Sequence, residues 1–251
     1  MDSGLYAAYT GLLARTQALD TAANNLANAS TNGFRAQRDS FSGVLASGLA
    51  AGQQGSQVGV GINSYGVLGG SSADQSQGPM VTTSNPLDVA INGTGFFAIR
   101  TAHGVRYTRD GAFTLSAQGQ LQTGAGEPVL NTAMAPITLP SGEVQISGDG
   151  TVAVQTAAGS GVVGQLGIFD FASTAGLTQE GANRFKAPDD AVPTASTAMV
   201  KQGAVEGANQ DSVHGTMQLV LIQRQAEMMQ KALSVFNADF DKTATEQIAR
   251  V

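Results

Sequence analysis

Few side chains in this sequence are of the types that perform catalysis or bind metal ions. Its two histidines are His103 and His214, and neither has a Cys, His, Asp or Glu partner at a metal-ligand spacing. The chain contains no cysteine, which excludes a disulfide framework and a thiolate metal site. The sequence therefore predicts neither a metal centre nor a cofactor.

Two carboxylates remain as candidates for acid–base chemistry. Asp110 and Asp149 each precede a glycine, and an Asp-Gly pair is typical of a tight turn. Gly93-Thr94-Gly95 is followed by Phe96 and Phe97, which would block a pyrophosphate. A carbohydrate-active enzyme that uses Asp110 or Asp149 is the enzymatic alternative, and we expect that the protein is not an enzyme.

Composition and charge exclude further classes. Charged residues make up 13% of the 251 residues, the net charge is −6 and the isoelectric point is about 4.8. A nucleic-acid-binding protein would have a basic face, and a membrane span needs about 18 consecutive apolar residues. We therefore expect no nucleic-acid partner and no membrane insertion. The first residues do not resemble a signal peptide, which predicts export without a cleaved signal peptide.

The secondary-structure elements that position these side chains can also be predicted from the sequence. The first is a helix over residues 3–30. Its apolar or small residues alternate in steps of four and three, which is the spacing of a heptad seam. Gly33 can take a left-handed conformation and is the predicted C-cap. The seam residues are Leu5, Tyr9, Leu12, Thr16, Leu19, Ala23 and Leu26.

A second helix is predicted over residues 209–248, capped by Asn209 or Asp211. Its seam has the same alternating spacing, although an ordinary core-facing helix would also produce it. Because two such helices lie at opposite ends of one chain, we expect them to pair as a coiled-coil-like rod domain. The seam residues are Leu219, Ile222, Ala226, Met229, Leu233, Phe236 and Phe240.

The middle of the chain differs from both ends. Residues 42–79 are rich in Gly, Ser, Ala and Gln, which is typical of a connector or extended arm. Residues 80–205 alternate short apolar runs with turn signals, which predicts an antiparallel β domain. The predicted strands are residues 88–92, 95–100, 105–109, 112–116, 120–123, 144–147, 151–155 and 162–171. The predicted fold class is therefore α+β. Its predicted domains are a first helix in 1–35, a connector in 36–80, a β domain in 81–205 and a second helix in 206–251.

The sequence also contains a run of small and amide residues that is highly specific. Residues 22–35, Ala-Ala-Asn-Asn-Leu-Ala-Asn-Ala-Ser-Thr-Asn-Gly-Phe-Arg, resemble the N-terminal signature of bacterial flagellar rod and hook proteins. Further stretches agree with this family in order along nearly the whole chain, most weakly at 42–79. These stretches are residues 86–97, 107–113, 119–121, 148–152, 202–209 and 221–224.

The resemblance implies a structural subunit of the flagellar basal-body rod, which spans the periplasm and transmits torque from motor to hook. A proximal-rod subunit is most similar, and a distal-rod subunit is the alternative within the family. A secreted β-domain adhesin that oligomerises through its helices is the alternative of another class. The implied partners are other rod subunits, copies of the chain and the flagellar type III export apparatus.

The implied site is an assembly interface along the helical seams. The side-chain amides of the first helix can donate and accept hydrogen bonds across such a contact. The predicted interface residues are Leu5, Tyr9, Leu12, Leu19, Asn24, Asn25, Leu26, Asn28, Leu219, Ile222, Met229, Leu233, Phe236 and Phe240.

Overall fold

The computed structural model describes residues 3–43, 66–157, 159–174, 176–181 and 183–248. The chain divides into two compact units. Unit 1 comprises Met1–Ala27, Gln37–Ser72 and Ser212–Val251, and unit 2 comprises Asn28–Ala36 and Ala73–Asp211.

Two helices and seventeen strands lie within the described residues. The helices are α1 (Ser3–Ala27) and α2 (Ser212–Ile248). The strands are β1 (Gln37–Gly43), β2 (Gly66–Ala73), β3 (Met80–Thr82), β4 (Val89–Asn92), β5 (Phe96–Thr101), β6 (Gly104–Thr108), β7 (Phe113–Leu115), β8 (Leu121–Thr123), β9 (Glu143–Ile146), β10 (Thr151–Thr156), β11 (Gly159–Gln165), β12 (Ile168–Asp170), β13 (Thr178–Gln179), β14 (Arg184–Lys186), β15 (Thr194–Ala195), β16 (Met199–Gln202) and β17 (Ala204–Glu206).

Unit 2 is built from antiparallel sheets. Its largest sheet has six strands in the order β13-β14-β6-β5-β12-β15, and a second has three strands in the order β11-β10-β9. Three further pairs, β16-β4, β17-β3 and β7-β8, complete the unit as it is described. The last two strands before α2 therefore return to pair with β4 and β3, which closes the β domain on itself.

Strand β5 lies between two hydrophobic clusters. Phe97 and Ile99 pack into one cluster, and Phe96 and Ala98 pack into the other, because successive side chains of a strand point to opposite faces. The ring of Phe97 meets that of Phe113 edge to face, with 5.1 Å between centroids. Because both faces of β5 are buried, its sequence is a continuous apolar run rather than an alternating one.

The strands predicted between residues 88 and 155 are present within one residue at each end. The predicted strand 162–171 is instead two strands, β11 and β12, separated by Leu166 and Gly167. Gly167 approaches the backbone of Leu130 and Asn131 so closely that a Cβ atom would lie 2.6 Å from a carbonyl oxygen. The chain therefore changes sheets at this glycine. The predicted connector at 42–79 lies partly outside the described residues.

The predicted fold class is wrong. Among the described residues, seventeen strands in six sheets accompany two helices, and the helices do not form the coiled-coil-like pair that the heptads predict. In α1 the buried apolar side chains are Ala14, Ala18 and Ala22, which are four residues apart, whereas the seam residue Tyr9 is 52% exposed. A central β domain is present.

The size of the side chains explains this difference. A row of alanines lets a helix backbone approach its neighbour closely, and the i, i+4 rows form the ridges that pack between helices. Gly11 belongs to this face, since a Cβ atom there would lie 3.5 Å from the terminal methyl of Met229. The heptad pattern is set by the large apolar residues and therefore predicted a seam of leucines. The face of α1 that approaches its neighbour most closely is instead the one that carries small residues.

Candidate functional site

The side chains that could perform chemistry are dispersed over the fold. His103 is exposed in the turn between β5 and β6, and His214 is exposed near the start of α2. No group of three His, Cys, Asp or Glu side chains in the described part of the chain could hold a metal ion. No described helix is long and apolar enough to cross a membrane.

The two Asp-Gly carboxylates are occupied within their turns. Oδ1 of Asp110 accepts a hydrogen bond from the amide of Ala112 at 3.0 Å, and burial raises the pKa of this carboxyl. Asp149 is exposed, and its two oxygens accept the amide and the hydroxyl of Thr151 at 3.0 and 2.8 Å. These bonds lower the pKa of Asp149. Each carboxylate thus stabilises the turn in which it lies.

The amide residues at the end of α1 have unequal environments. Asn25 is buried, and its side chain donates to the carbonyl of Gln37 and accepts from the amide of Gln37, both at 2.8 Å. The side-chain amide of Asn25 therefore satisfies both backbone groups of Gln37, the first residue of β1, and links α1 to this strand. Asn24 is exposed, and Asn28 is partly buried and accepts the hydroxyl of Thr31 at 3.3 Å. Their part in an assembly interface stays a prediction.

The predicted seam residues are also distributed unequally. Leu12, Leu19 and Leu26 of α1 are partly buried, and Tyr9 is exposed. On α2, Leu233 is buried, and the partly buried residues are Leu219, Ile222 and Met229. Leu5, Phe236 and Phe240 lie outside the residues whose side chains are described.

A second apolar face of α2 is exposed. We name it the outer stripe, and its members are between 43% and 64% exposed. At about 3.6 residues per turn they cover one side of the helix, roughly opposite the face that contains Ala226 and Leu233. A helix that is apolar on two opposite faces is typical of burial among several neighbours. The outer stripe consists of Val213, Met217, Val220, Leu221, Met228 and Val235.

A cluster of three charged side chains is buried in unit 2. Nη1 of Arg35 lies 2.6 Å from Oε1 of Glu206, and Nη1 of Arg109 lies 3.0 Å from Oε2 of the same carboxylate. The side chains of Arg35 and Glu206 are fully buried, and that of Arg109 is 5% exposed. Such a cluster is costly to desolvate, so its removal from water must be offset by several well-placed hydrogen bonds.

Backbone groups supply those additional bonds. The amide of Gly78 donates to Oε1 of Glu206 at 2.8 Å, and Nη2 of Arg109 donates to the carbonyl of Gly93 at 2.7 Å. The guanidinium of Arg109 also lies 5.3 Å from the ring centroid of Phe96. The cluster therefore links the segments that carry Arg35, Arg109 and Glu206, which are distant from one another in the sequence.

Gly33 allows the segment after α1 to reach this cluster. Its φ is +67°, and a Cβ atom would lie 2.4 Å from the amide nitrogen of Asp110. Its own amide donates to the carbonyl of Glu206 at 2.7 Å. The predicted C-cap role of Gly33 is wrong, because α1 ends at Ala27 and Gly33 instead packs against the β domain. A side chain at this position would separate the two backbones.

The arrangement of charges perturbs Arg109. Burial lowers the pKa of its guanidinium, Glu206 raises it, and the neighbouring Arg35 lowers it again, with a net downward shift. Two cations therefore compete for one carboxylate in a place from which water is excluded. Nothing in this arrangement resembles a catalytic acid–base pair. Its geometry fits a buried ion-pair network that stabilises the fold.

Sequence reasoning did not identify this cluster. Arg35, Arg109 and Glu206 all lie within the stretches that carry the resemblance, but each lies in a different stretch. A signal was available, because charged residues are scarce in this sequence and each of these three lies within two residues of a glycine or an aromatic residue. Asn209 is a predicted cap of the second helix, but its side chain binds other backbone groups. It accepts a hydrogen bond from the amide of Ala36 and donates one to the carbonyl of Asp74.

Two protein-family models match the chain. The model described as flagella basal body rod protein matches residues 5–35, and that described as flagellar hook protein FlgE/F/G D1 domain matches residues 90–154. The first match ends at Arg35 and the second contains Arg109. The two matched segments therefore meet in the buried cluster.

Curated relatives match over most of their length. A flagellar basal-body rod protein FlgF from Caulobacter vibrioides is 32% identical over the whole of both chains. A flagellar basal-body rod protein FlgG from Agrobacterium fabrum is 33% identical, over 90% of this chain and 92% of the relative. The FlgF of Escherichia coli is 32% identical over 91% of this chain and 93% of the relative.

Proposed function

Because the chain belongs to the family of flagellar basal-body rod proteins, we propose that it is a structural subunit of the rod in the flagellar basal body. The observation that carries this proposal is the 32% identity to a rod protein over the full length of both chains. Relatives of this kind are structural proteins, and the predicted resemblance to rod proteins is confirmed by these matches. The role assigned is mechanical and not enzymatic.

The outer stripe supports assembly through the terminal helices. Each member exposes a large apolar side chain to water, and burying one stabilises a complex by about 1.5–3 kcal/mol. Contiguous exposed apolar surface is typical of a protein interaction site. We infer that α2 packs its outer stripe against helices of neighbouring rod subunits, which are copies of this chain or relatives from the same family.

The position within the rod is proposed from the sequence motifs of the resemblance, and not from the percentage identities. We propose a proximal-rod subunit that transmits torque from the motor to the hook and spans part of the periplasm. It would reach that place through the flagellar export apparatus. The predicted domains 1–35, 36–80, 81–205 and 206–251 remain part of the proposal.

A distal-rod subunit is the second candidate. The relative named FlgG from Agrobacterium fabrum is 33% identical, which is as similar as the relatives named FlgF. The identities therefore favour neither position. Crosslinks from the subunit in isolated basal bodies to motor-side or hook-side neighbours would distinguish the two.

The assembly proposal is tested by Met228→Asp. A charge in the outer stripe should prevent packing against neighbours, while the isolated chain keeps its fold because Met228 is 63% exposed. We expect cells that carry this variant to lose rods and motility, with a monomer of unchanged helicity by circular dichroism. Gln230→Asp is the matched control, since Gln230 is an exposed residue of the same helix outside the outer stripe.

Normal swimming with Met228→Asp would contradict assembly through the outer stripe. Equal loss of motility in both variants would indicate that added charge on α2, rather than its position, is responsible. Membership of the family would be unaffected by either outcome.

A further inference from the structure

One edge of a buried guanidinium has no protein partner. Arg35 donates to Glu206 through Nη1, but its Nε and Nη2 atoms have no hydrogen-bond acceptor among the described residues. The side chain is fully buried, so bulk water does not reach these donors. Nε and Nη2 of arginine point in the same direction and form the fork that binds anions with two parallel hydrogen bonds.

Leaving such donors without an acceptor is costly. A buried polar group without a hydrogen bond costs roughly 1–3 kcal/mol, and more when it is charged. Most buried polar atoms in native proteins therefore have a partner. The unpartnered fork of Arg35 is the strongest exception among the described side chains, because both donors belong to one cation.

Two cations share one carboxylate in the buried cluster. Arg35 and Arg109 carry two positive charges, and Glu206 is the carboxylate that forms ion pairs with both of them. Asp170 also acts electrostatically on Arg109, but no described salt bridge joins Asp170 to either guanidinium. Glu206 therefore supplies the ion-pair contact of Arg35, which it shares with Arg109.

We propose that the Nε and Nη2 edge of Arg35 binds a small inorganic anion, most simply chloride. A chloride ion would accept both parallel N–H groups and would bring a further negative charge to a cluster in which two cations share one carboxylate. This inference concerns unit 2 and does not depend on the proposed function.

The site is complete only in the folded protein. Arg35 follows the segment after α1, Arg109 follows β6 and Glu206 ends β17, so the three meet when the β domain has formed. An anion that binds the folded and not the unfolded chain stabilises the fold by mass action. Each tenfold rise in chloride above its dissociation constant should lower the unfolding equilibrium constant about tenfold.

The experiment compares urea unfolding of the full chain in sodium chloride and in sodium gluconate at equal ionic strength. We expect unit 2 to unfold at higher urea in chloride, with the predicted dependence on its concentration. Hydrogen exchange measured by mass spectrometry assigns the effect to peptides of unit 2. Equal stability in both salts would mean that water occupies the fork, and the inference would be wrong.

Arg35→Lys tests the geometry, because lysine keeps the positive charge but lacks the fork. The chloride dependence should disappear in this variant. Arg106→Lys is the matched control, since Arg106 is a buried arginine that pairs with Glu180 outside the cluster, and it should keep the dependence. A chloride effect that persists in Arg35→Lys would overturn the inference.

Crystals of the unchanged chain soaked in sodium bromide supply a test that does not need a stable variant. Bromide replaces chloride and is located by its anomalous scattering. A peak at hydrogen-bond distance from Nε and Nη2 of Arg35 would support the site. A water molecule there, with no anomalous signal, would contradict it.

Discussion

The two units of this chain stabilise themselves in different ways. The described part of unit 2 contains two large hydrophobic clusters with fully buried aromatic side chains, and the buried Arg35–Glu206–Arg109 cluster also receives a backbone hydrogen bond. Among the described side chains of unit 1, the buried apolar ones are Ala14, Ala18 and Ala22 of α1 and Ala226 and Leu233 of α2, while the outer stripe is exposed. Unit 2 therefore has a core of its own, whereas much of the described apolar surface of unit 1 is unburied.

This difference indicates which unit depends on partners. An alanine contributes little burial, and isolated helices are marginal unless an apolar face is packed. A helix that keeps an apolar face in water gains stability only when another chain covers it. We expect unit 2 to keep its fold in the free subunit and unit 1 to gain most of its stability on assembly.

Among the variants that test the difference between the two units, Glu206→Ala should change the unfolding free energy most. The substitution leaves Arg35 and Arg109 buried without a counter-charge, which should cost about 3–5 kcal/mol of unfolding free energy. Urea unfolding followed by hydrogen exchange should locate the loss in unit 2. Glu180→Ala is the control, because the side chain of Glu180 is 40% exposed whereas that of Glu206 is fully buried, so its loss should matter less. Equal losses in the two variants would show that burial of Glu206 has no special importance.

A smaller effect is expected from Ala18→Asp in unit 1. Ala18 is buried on the close-packed face of α1, so a carboxylate there should destabilise the helices by roughly 2–4 kcal/mol. Leu13→Asp is the matched variant, because Leu13 is 61% exposed and its replacement should leave helicity unchanged. Far-ultraviolet circular dichroism measures the helicity of both variants. Greater loss of helicity in Leu13→Asp would contradict the assignment of the alanine row as the packing face of α1.

The smallest expected effect comes from Gly33→Ala. It forces a positive φ on a residue with a Cβ atom and brings that atom against Asp110, with a cost of at least about 1–3 kcal/mol. In Gly126→Ala the φ is also positive, at +84°, but no atom lies within 4 Å of the added Cβ. The difference between the two variants in urea unfolding isolates the steric contribution. No difference would mean that the segment at Gly33 can move away from the backbone of Asp110 without cost.

Local patterns predicted much of the secondary structure. An Asn-Gly pair lies at the end of β4, and Asp-Gly pairs follow β6 and precede β10. Such turns are predictable because turn geometry depends on residues that are adjacent in sequence. The division between β11 and β12 was not predictable in this way. It depends on Gly167 lying against the backbone of Leu130, a contact between segments that are distant in the sequence.

The candidate site was less predictable than the fold. The apolar residues of α2 were recognised, but a one-dimensional pattern could not tell which of its two apolar faces is covered within the chain. Arg35, Arg109 and Glu206 are separated by 74 and 97 residues, and nothing in their local surroundings pairs them. Their partnership is visible only when the strands that carry them are in place.

The sequence by itself determined the family, the absence of cysteine chemistry and the presence of a helix near each end, since these depend on residue types and local spacing. Only the tertiary structure decided that alanines rather than leucines form the buried face of α1, and that three charged residues share one buried cluster. The physical reason is that close packing and desolvation depend on distances between remote segments. Composition and periodicity contain no information about such distances.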